Sequence, residues 1–186
     1  MQVNFRSAMA AGVFGMLLVV CTTLPLNAQS FFPIELSSAA SNLCLEPLND
    51  SPAQGTAIVQ EPCNGSEGQL WVLSASRYVP GAYYFHYENL LTGMCLDARG
   101  SATNKTPVQQ WTCNTITNED WVAGDNNSIQ TRVSNSDGFC LDVPDAGTSA
   151  GLPMQIYKCN GTNAQNWKET FHPLQPAVRK TPAAAK

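Results

Sequence analysis

Residues 95–121 contain, in order, the motifs Cys95-Leu96-Asp97, Thr112-Cys113-Asn114 and Glu119-Asp120-Trp121. The same order occurs upstream in Cys44-Leu45-Glu46, Pro62-Cys63-Asn64 and Gln69-Leu70-Trp71, and downstream in Cys140-Leu141-Asp142, Lys158-Cys159-Asn160 and Gln165-Asn166-Trp167. Because all three landmarks recur together with a period of about 50 residues, they indicate a whole-unit triplication rather than a chance motif.

The cysteines follow the same period. Six of the seven fall in the repeats, as the pairs Cys44 and Cys63, Cys95 and Cys113, and Cys140 and Cys159. Six cysteines allow about fifteen pairings, but the nearly equal spacing within each pair implies three local loops. An even number of cysteines is typical of a disulfide framework in an oxidising compartment. No Cys-x-x-Cys motif occurs and the chain has only 2 histidines, so we expect no metal site and no cofactor.

Short apolar alternations within each unit, such as Ile34 and Leu36, or Tyr83, Phe85 and Tyr87, predict strands of about five residues separated by turns. A unit this small cannot bury its own apolar face, whereas three units can share one core and close their strand edges. We expect each unit to contribute one large aromatic side chain to that core: Trp71, Trp121 and Trp167.

The N-terminal segment has the features of a secretory signal. Arg6 precedes an apolar stretch, 8–20, that is too short to span a bilayer, and the sequence Leu26-Asn27-Ala28 follows it. We therefore predict a signal peptide over residues 1–28, with Cys21 lost on cleavage, and a secreted product with no membrane span. The alternative, a lipoprotein signal acylated at Cys21, is less favoured because Val20 stands where a small residue is expected. The proline- and alanine-rich residues 171–186 predict a disordered tail.

The net charge of the chain bears on the class of molecule that it binds. The chain has 186 residues, 10 Lys and Arg against 14 Asp and Glu, and a formal net charge of −4. Nucleic-acid binding needs clustered Lys and Arg, so we expect no nucleic-acid partner.

The three units, with their leading Cys-Leu-Asp, local disulfide and closing Gln-x-Trp, resemble the ricin B-type lectin family. The resemblance covers about residues 32–170. It implies an all-β fold, a β-trefoil of three pseudo-symmetric lobes at about 32–77, 78–126 and 127–170, each with its own disulfide. It also implies that a lobe can hold a sugar in a shallow pocket, galactose-type in many members and xylose-type or other sugars elsewhere.

A shallow sugar site needs an aromatic plate for the C–H face of the ring and polar groups for its hydroxyls. In lobe two, if Cys95 and Cys113 face each other on antiparallel strands, Asp97 lies opposite Trp111, and Gln109 points to the same face. The family pattern then assigns carbohydrate binding to Asp97, Gln109, Trp111 and Asn118, with Glu119 where a Gln is usual. Glu119 keeps an acceptor and removes a donor, which leaves the preferred sugar open.

Lobe three repeats this construction. The same argument places Asp142 opposite Tyr157, with Gln155 two residues earlier and Gln165 as the late amide. Ala164 stands where the pattern has Asn, so one hydroxyl contact is missing unless Asn160 or Asn163 supplies it.

Lobe one lacks the aromatic residue. The same register pairs Glu46 with Glu61, and Val59 replaces the glutamine. Because directly opposed like charges are unfavourable across strands, we expect a structural lobe.

These features predict a secreted lectin and not an enzyme, because no nucleophile and base motif is recognisable. Two weak sites on one body favour glycan-rich surfaces or polysaccharides as partners. Two alternatives remain: a cell-binding subunit of a toxin or enzyme complex, or a trefoil protease inhibitor, which would be indifferent to loss of Asp97.

Overall fold

The computed structural model describes residues 32–100, 102–133 and 138–173. In these segments the regular structure consists of strands joined by turns and short 3-10 helices. The strands are β1 Ile34–Ser38, β2 Cys44–Pro47, β3 Ile58–Glu61, β4 Leu70–Val79, β5 Ala82–Asn89, β6 Cys95–Ala98, β7 Thr106–Trp111, β8 Trp121–Ala123, β9 Ile129–Thr131, β10 Phe139–Asp142, β11 Leu152–Pro153, β12 Gln155–Lys158 and β13 Trp167–Phe171. The predicted all-β fold is confirmed. The predicted signal peptide lies outside the described residues.

The strands repeat one pattern three times. Each lobe contributes an antiparallel hairpin, β2–β3, β6–β7 and β10–β12 in order. Other strands connect the lobes, since β4 pairs with β1 and β5, and β8 pairs with β5 and β9. The last strand, β13, pairs with the first along its whole length. This pairing joins the first and the last of the described strands.

The three repeat tryptophans form the centre of the core, as predicted. Trp71 and Trp121 are fully buried and Trp167 is 1% exposed. Each indole Nε1 donates to the carbonyl of the leucine in its own Cys-Leu motif, at 3.3 Å to Leu45, 2.8 Å to Leu96 and 3.1 Å to Leu141. The ring therefore fills the core while its one polar atom is satisfied.

The three local disulfides are confirmed: Cys44–Cys63, Cys95–Cys113 and Cys140–Cys159. The register deduced from them is wrong by two residues. Cys95 lies opposite Trp111, and Asp97 lies opposite Gln109.

The other lobes show the same shift, because each bridge links a strand residue to a cysteine beyond the end of the partner strand. Asp142 therefore lies opposite Gln155, and Glu46 lies opposite Val59. A shift of two residues preserves which face a side chain occupies, so the predicted members of each site still share one face.

The predicted alternation in β5 holds only in part. Tyr87 is 2% exposed, but Tyr83 is 63% exposed and packs on Tyr78 near the end of the β4–β5 hairpin, while Tyr84 is 7% exposed. The register of this hairpin shifts between Ala75 and Arg77. A bulge of this kind changes the local twist and therefore which residues reach the core.

The ordered C-terminal strand ends later than predicted. Phe171 pairs with Ile34, and the amide of His172 donates to the carbonyl of Pro33 at 2.8 Å. Strand pairing thus includes the first residues assigned to the tail, of which residues 174–186 lie outside the described part. Among the described residues, no helix has the length and apolar character needed to cross a membrane.

Candidate carbohydrate-binding sites

In lobe two, a carboxylate and an exposed aromatic ring lie on one face of the β6–β7 hairpin. Asp97 is 2% exposed and accepts a hydrogen bond from Gln109 Nε2 at 2.8 Å. Trp111, two residues beyond Gln109 on the same strand, is 38% exposed. Burial raises the pKa of Asp97, whereas the bond from Gln109 and the charge of Arg99 oppose that rise. The hairpin therefore presents a fixed hydrogen-bond acceptor beside a ring surface open to solvent.

Asn118 and Glu119 belong to a 3-10 helix, Thr117–Glu119, behind this hairpin. Asn118 is half-buried and Glu119 is fully buried. Glu119 accepts from the backbone amide of Asn114 at 2.7 Å and from Asn114 Nδ2 at 2.8 Å. Both carboxylate oxygens are thus engaged inside the protein.

Lobe three has the same arrangement with a tyrosine. Asp142 is 4% exposed and accepts from Gln155 Nε2 at 2.7 Å and from Gln165 Nε2 at 3.0 Å. Tyr157 follows Gln155 at the same two-residue interval and is half-buried. Burial raises the pKa of Asp142, and the two amide bonds oppose the rise.

Both the nitrogen and the oxygen of the Gln165 side-chain amide form hydrogen bonds within the protein. Besides its bond to Asp142, Nε2 donates to the carbonyl of Lys158 at 3.1 Å, and Oε1 accepts from the amide of Asn160 at 2.8 Å. Gln165 is 1% exposed, so its geometry is that of a residue that orients the carboxylate.

Asp142 opens into a cavity of about 380 Å³ that Gln155 and Tyr157 also line. Asn160 lies in the same wall beside Ala164. Its Oδ1 accepts from Thr162 N at 3.0 Å and from Thr162 Oγ1 at 2.8 Å, and its Nδ2 has no partner among the described residues. Asn160 is therefore placed to supply the amide contact that Ala164 cannot.

Lobe one keeps the carboxylate and lacks the ring. Glu46 Oε2 accepts from Gln69 Nε2 at 2.7 Å, matching the bond between Asp142 and Gln165. Val59 is fully buried where the other lobes have a glutamine, and Glu61 stands in the position of Trp111 and Tyr157. Burial raises the pKa of Glu46, and the nearby charges of Asp50 and Glu61 add to that rise. The hairpin therefore offers no aromatic surface.

Each hairpin is bordered by a loop from a different lobe, a contact between lobes that the repeat pattern does not predict. The amide of Gly55 donates to Gln110, that of Lys105 to Ile156 and that of Gly151 to Gln60, at 2.9 Å in each case. All three residues have a positive φ, 77°, 69° and 75° in that order. Glycine at two of the three positions was the available signal, because glycine adopts this conformation without strain.

A larger cavity of about 420 Å³ lies elsewhere, between residues 123–129 and 167–169. Its tryptophan, Trp167, is 1% exposed, so the ring offers no open face to a sugar. We therefore place the candidate sites at the hairpins of lobes two and three.

Glu119 makes lobe two sensitive to pH. Burial raises its pKa to about 7, the charges of Asp97 and Asp120 act in the same direction, and the bond from Asn114 opposes them. His86 Nε2 lies 3.9 Å from its Oε2, and burial lowers the pKa of that histidine. An acid whose pKa is raised on folding loses stability as the pH rises from its unfolded value towards its folded one.

In the wild type, the free energy of unfolding is therefore expected to fall by about 1–3 kcal/mol as the pH rises from about 4.5 to 7. Glu119→Gln is expected to abolish this fall. Urea unfolding at several pH values measures this. The matched control is Gln165→Glu, which should introduce a similar fall through lobe three. Parallel pH profiles for the wild type and Glu119→Gln would contradict the prediction.

Comparisons with known proteins agree with this geometry. The family described as ricin-type beta-trefoil lectin domain matches residues 32–167. Serine protease 1 of Rarobacter faecitabidus is 32% identical over 98 residues, which cover 50% of this chain and 17% of the protease. The match thus spans about a sixth of that curated relative.

Two solved structures share the fold. A designed threefold-symmetric protein, ThreeFoil, aligns with a TM-score of 0.64 and 26% identity, over 74% of this chain and 96% of its own. An exo-beta-1,3-galactanase from Clostridium thermocellum aligns with a TM-score of 0.68 and 27% identity, over 77% of this chain and 31% of its own. These alignments confirm the three-lobed β-trefoil.

The family match extends over nearly all the described residues, and the three lobes carry its repeated motif at equivalent places. Its domain is a carbohydrate-binding module. This chain belongs to the ricin-type β-trefoil lectin family.

Proposed function

We propose that the protein is a secreted lectin that binds galactose-type sugars at lobes two and three, with lobe one serving as structure. The binding residues are Asp97, Gln109, Trp111 and Asn118 in lobe two, and Asp142, Gln155 and Tyr157 in lobe three. Glu119 holds the backbone at Asn114, and Gln165 orients the carboxylate of Asp142.

One observation carries this proposal: a buried carboxylate held by a glutamine lies beside an aromatic side chain at equivalent places in two lobes. A carboxylate accepts hydrogen bonds from two neighbouring sugar hydroxyls, and an aromatic ring covers the apolar face of the pyranose. Holding the carboxylate in place before the ligand arrives lowers the entropy lost on binding.

The galactose preference has support from the comparison. The galactanase that is 27% identical to this chain is named for its action on beta-1,3-galactan. A domain of this family in such an enzyme is expected to bind the enzyme's own polymer, so galactose-type sugars are the first ligands to test.

Two sites favour polymeric or clustered ligands. A shallow, solvent-exposed site typically gives a dissociation constant near millimolar, about −4 kcal/mol. Engaging two glycans of one surface raises the apparent affinity by roughly 10² to 10⁴ when their spacing fits. We therefore propose glycans and polysaccharides as the partners.

The proposed export has two supports. Residues 1–28 have the pattern of a signal peptide, and all six cysteines of the domain form disulfides, which persist in oxidising compartments. The mature protein would then begin after Ala28, close to the start of the lectin domain at about residue 32.

A titration followed by amide NMR tests the proposal. Methyl β-galactoside should perturb residues of lobes two and three and leave the lobe-one hairpin unchanged. Trp111→Ala should weaken binding at lobe two by tenfold or more, about 1.4 kcal/mol, because the ring face is lost.

The matched control is Glu61→Ala, which changes the equivalent position of lobe one and should not alter binding. Perturbation of lobe one alone, or of no lobe by any of a panel of sugars, would refute the proposal.

A second candidate function is the targeting of a catalytic chain to a carbohydrate. One observation favours it: the matched region makes up 17% of the protease and 31% of the galactanase, so it occurs in larger enzymes. Co-purification of a catalytic chain from the native source, bound through a surface other than the two sugar sites, would distinguish this role from that of a free lectin.

A further inference from the structure

Lys105 occupies a place that glycine occupies in the other two lobes. Its amide bond to Ile156 matches those of Gly55 to Gln110 and of Gly151 to Gln60. The three residues also share the same left-handed backbone region, since φ of Lys105 is 69°. At this position the backbone is alike in the three loops, and Lys105 alone adds a side chain.

A lysine in this conformation is unfavourable compared with glycine, because its Cβ crowds the backbone. The conformation occurs at this position in all three lobes, so the fold imposes it whatever the side chain. The backbone of Lys105 belongs to lobe two, whereas its side chain lines the candidate site of lobe three.

Lys105 lines the cavity that contains Asp142, Tyr157 and Asn160. It is exposed, and the ion pairs found among the described residues join Arg77 to Asp120, His86 to Glu119 and His172 to Glu35. Its ammonium is therefore not committed to a carboxylate of the described protein.

The cavity also has two acidic groups, both from lobe three itself. Asp142 is buried and bound by Gln155 and Gln165, and the exposed Asp145 lies in the turn 144–146. The cation and the two acids thus come from different lobes. This charge pattern suits a ligand with hydroxyls for Asp142 and a separate negative group for Lys105.

We propose that the lobe-three site prefers sugars that carry an anionic substituent, a carboxylate or a sulfate, and that Lys105 determines this preference. The inference rests on the proposed function, because it assigns a ligand class to one of the two proposed sites. Lobe two has Gly55 at the corresponding place, and a Cβ there would lie 3.6 Å from Trp111 Cζ3. The corresponding loop at lobe two therefore supplies no cation, and we propose the preference for lobe three alone.

Amide NMR titrations on the full oxidised chain test this, with methyl β-galactoside, methyl galacturonoside and a 6-sulfated galactoside as probes. At low salt, the wild type should bind the anionic probes at lobe three about two- to fivefold more tightly than the neutral one, the range expected for one exposed ion pair. The difference should shrink at high salt.

Lys105→Gly and Lys105→Gln should bind all three probes equally, whereas Lys105→Arg should keep the preference. The matched control is Lys168→Gln, which removes an exposed lysine of β13 and should leave the preference unchanged. Preference for only one of the two anionic probes supports the proposal and identifies the anion.

If Lys105→Gln keeps the preference, or if the wild type binds the neutral probe as tightly as the anionic ones, the inference is wrong although the site still binds sugar. If no probe perturbs lobe three, or if Asp142→Asn does not weaken binding there, the proposed function of that lobe fails and this inference fails with it.

Discussion

The double variant Asp97→Asn, Asp142→Asn is expected to bind no galactose-type sugar at concentrations that saturate the wild type. A hydrogen bond to a charged group contributes about 1.5–3 kcal/mol, and a shallow site contributes only about −4 kcal/mol in total. Losing the carboxylate therefore removes a large share of the affinity of each site. Isothermal titration or a glycan array measures the loss.

The substitution leaves the shape of each site almost unchanged. Asp142 accepts on both oxygens, from Gln155 and Gln165, so an asparagine there loses one of these bonds. We expect stability to fall by about 1 kcal/mol, which leaves the domain folded. Circular dichroism checks this independently of binding.

Lobe one provides the matched control for this prediction. Glu46 is the equivalent carboxylate and is held by Gln69, but no aromatic ring accompanies it. Glu46→Gln should therefore leave sugar binding unchanged. If it abolishes binding, or if the double variant binds normally, the carboxylate-and-ring account of the sites is wrong.

The second large effect concerns stability. Trp121→Ala is expected to lower the free energy of unfolding by about 3–5 kcal/mol, because it empties a large volume in the core. It also leaves the carbonyl of Leu96 without its indole donor, which lies at 2.8 Å. Since small domains are stable by only about 5–15 kcal/mol, this loss is a large fraction of the total stability.

Urea unfolding under non-reducing conditions measures this loss. Trp111→Ala is the matched control, since the same side chain is removed from a partly exposed position in the same lobe. That variant should change stability by less than about 1 kcal/mol while it weakens sugar binding. Equal destabilisation by the two variants would contradict the division into a core tryptophan and a binding tryptophan.

The two tryptophans of lobe two show what could be predicted from the sequence. Trp121 recurs in every repeat, and a position that is aromatic in all three units indicates the shared core. Trp111 has a different counterpart in each of the other units, Tyr157 and Glu61, which is typical of a surface position whose role varies. Repetition within one chain thus separates the positions of the shared core from the positions that we propose for sugar binding.

The strand register predicted from the disulfides is wrong. Equating a disulfide with directly opposed residues placed Asp97 opposite Trp111, two residues from its true partner, Gln109. The Cα atoms of Cys95 and Cys113 are 5.0 Å apart, although Cys113 lies beyond the end of β7. A disulfide requires only that two Cβ atoms approach each other, so it does not determine the pairing of the strands.

Two features of the sites depended on contacts that no local pattern reveals. The motif predicts that Glu119 and Gln165 contact the sugar, and only the structure shows that both side chains are buried. Lys105 belongs by sequence to lobe two and by position to the site of lobe three.

The sequence by itself determined the three lobes, the local disulfides, the core tryptophans and the carboxylate and aromatic positions, because each is a periodic or short-range property of the chain. The tertiary structure alone decided the strand register, the burial of the late acid and amide, and the neighbour that completes each site. The register and the burial depend on how the strands and turns of one lobe pack together, whereas the neighbour depends on contacts between lobes, such as those of Gly55 with Gln110 and of Lys105 with Ile156. Neither kind of contact leaves a periodic trace in the sequence.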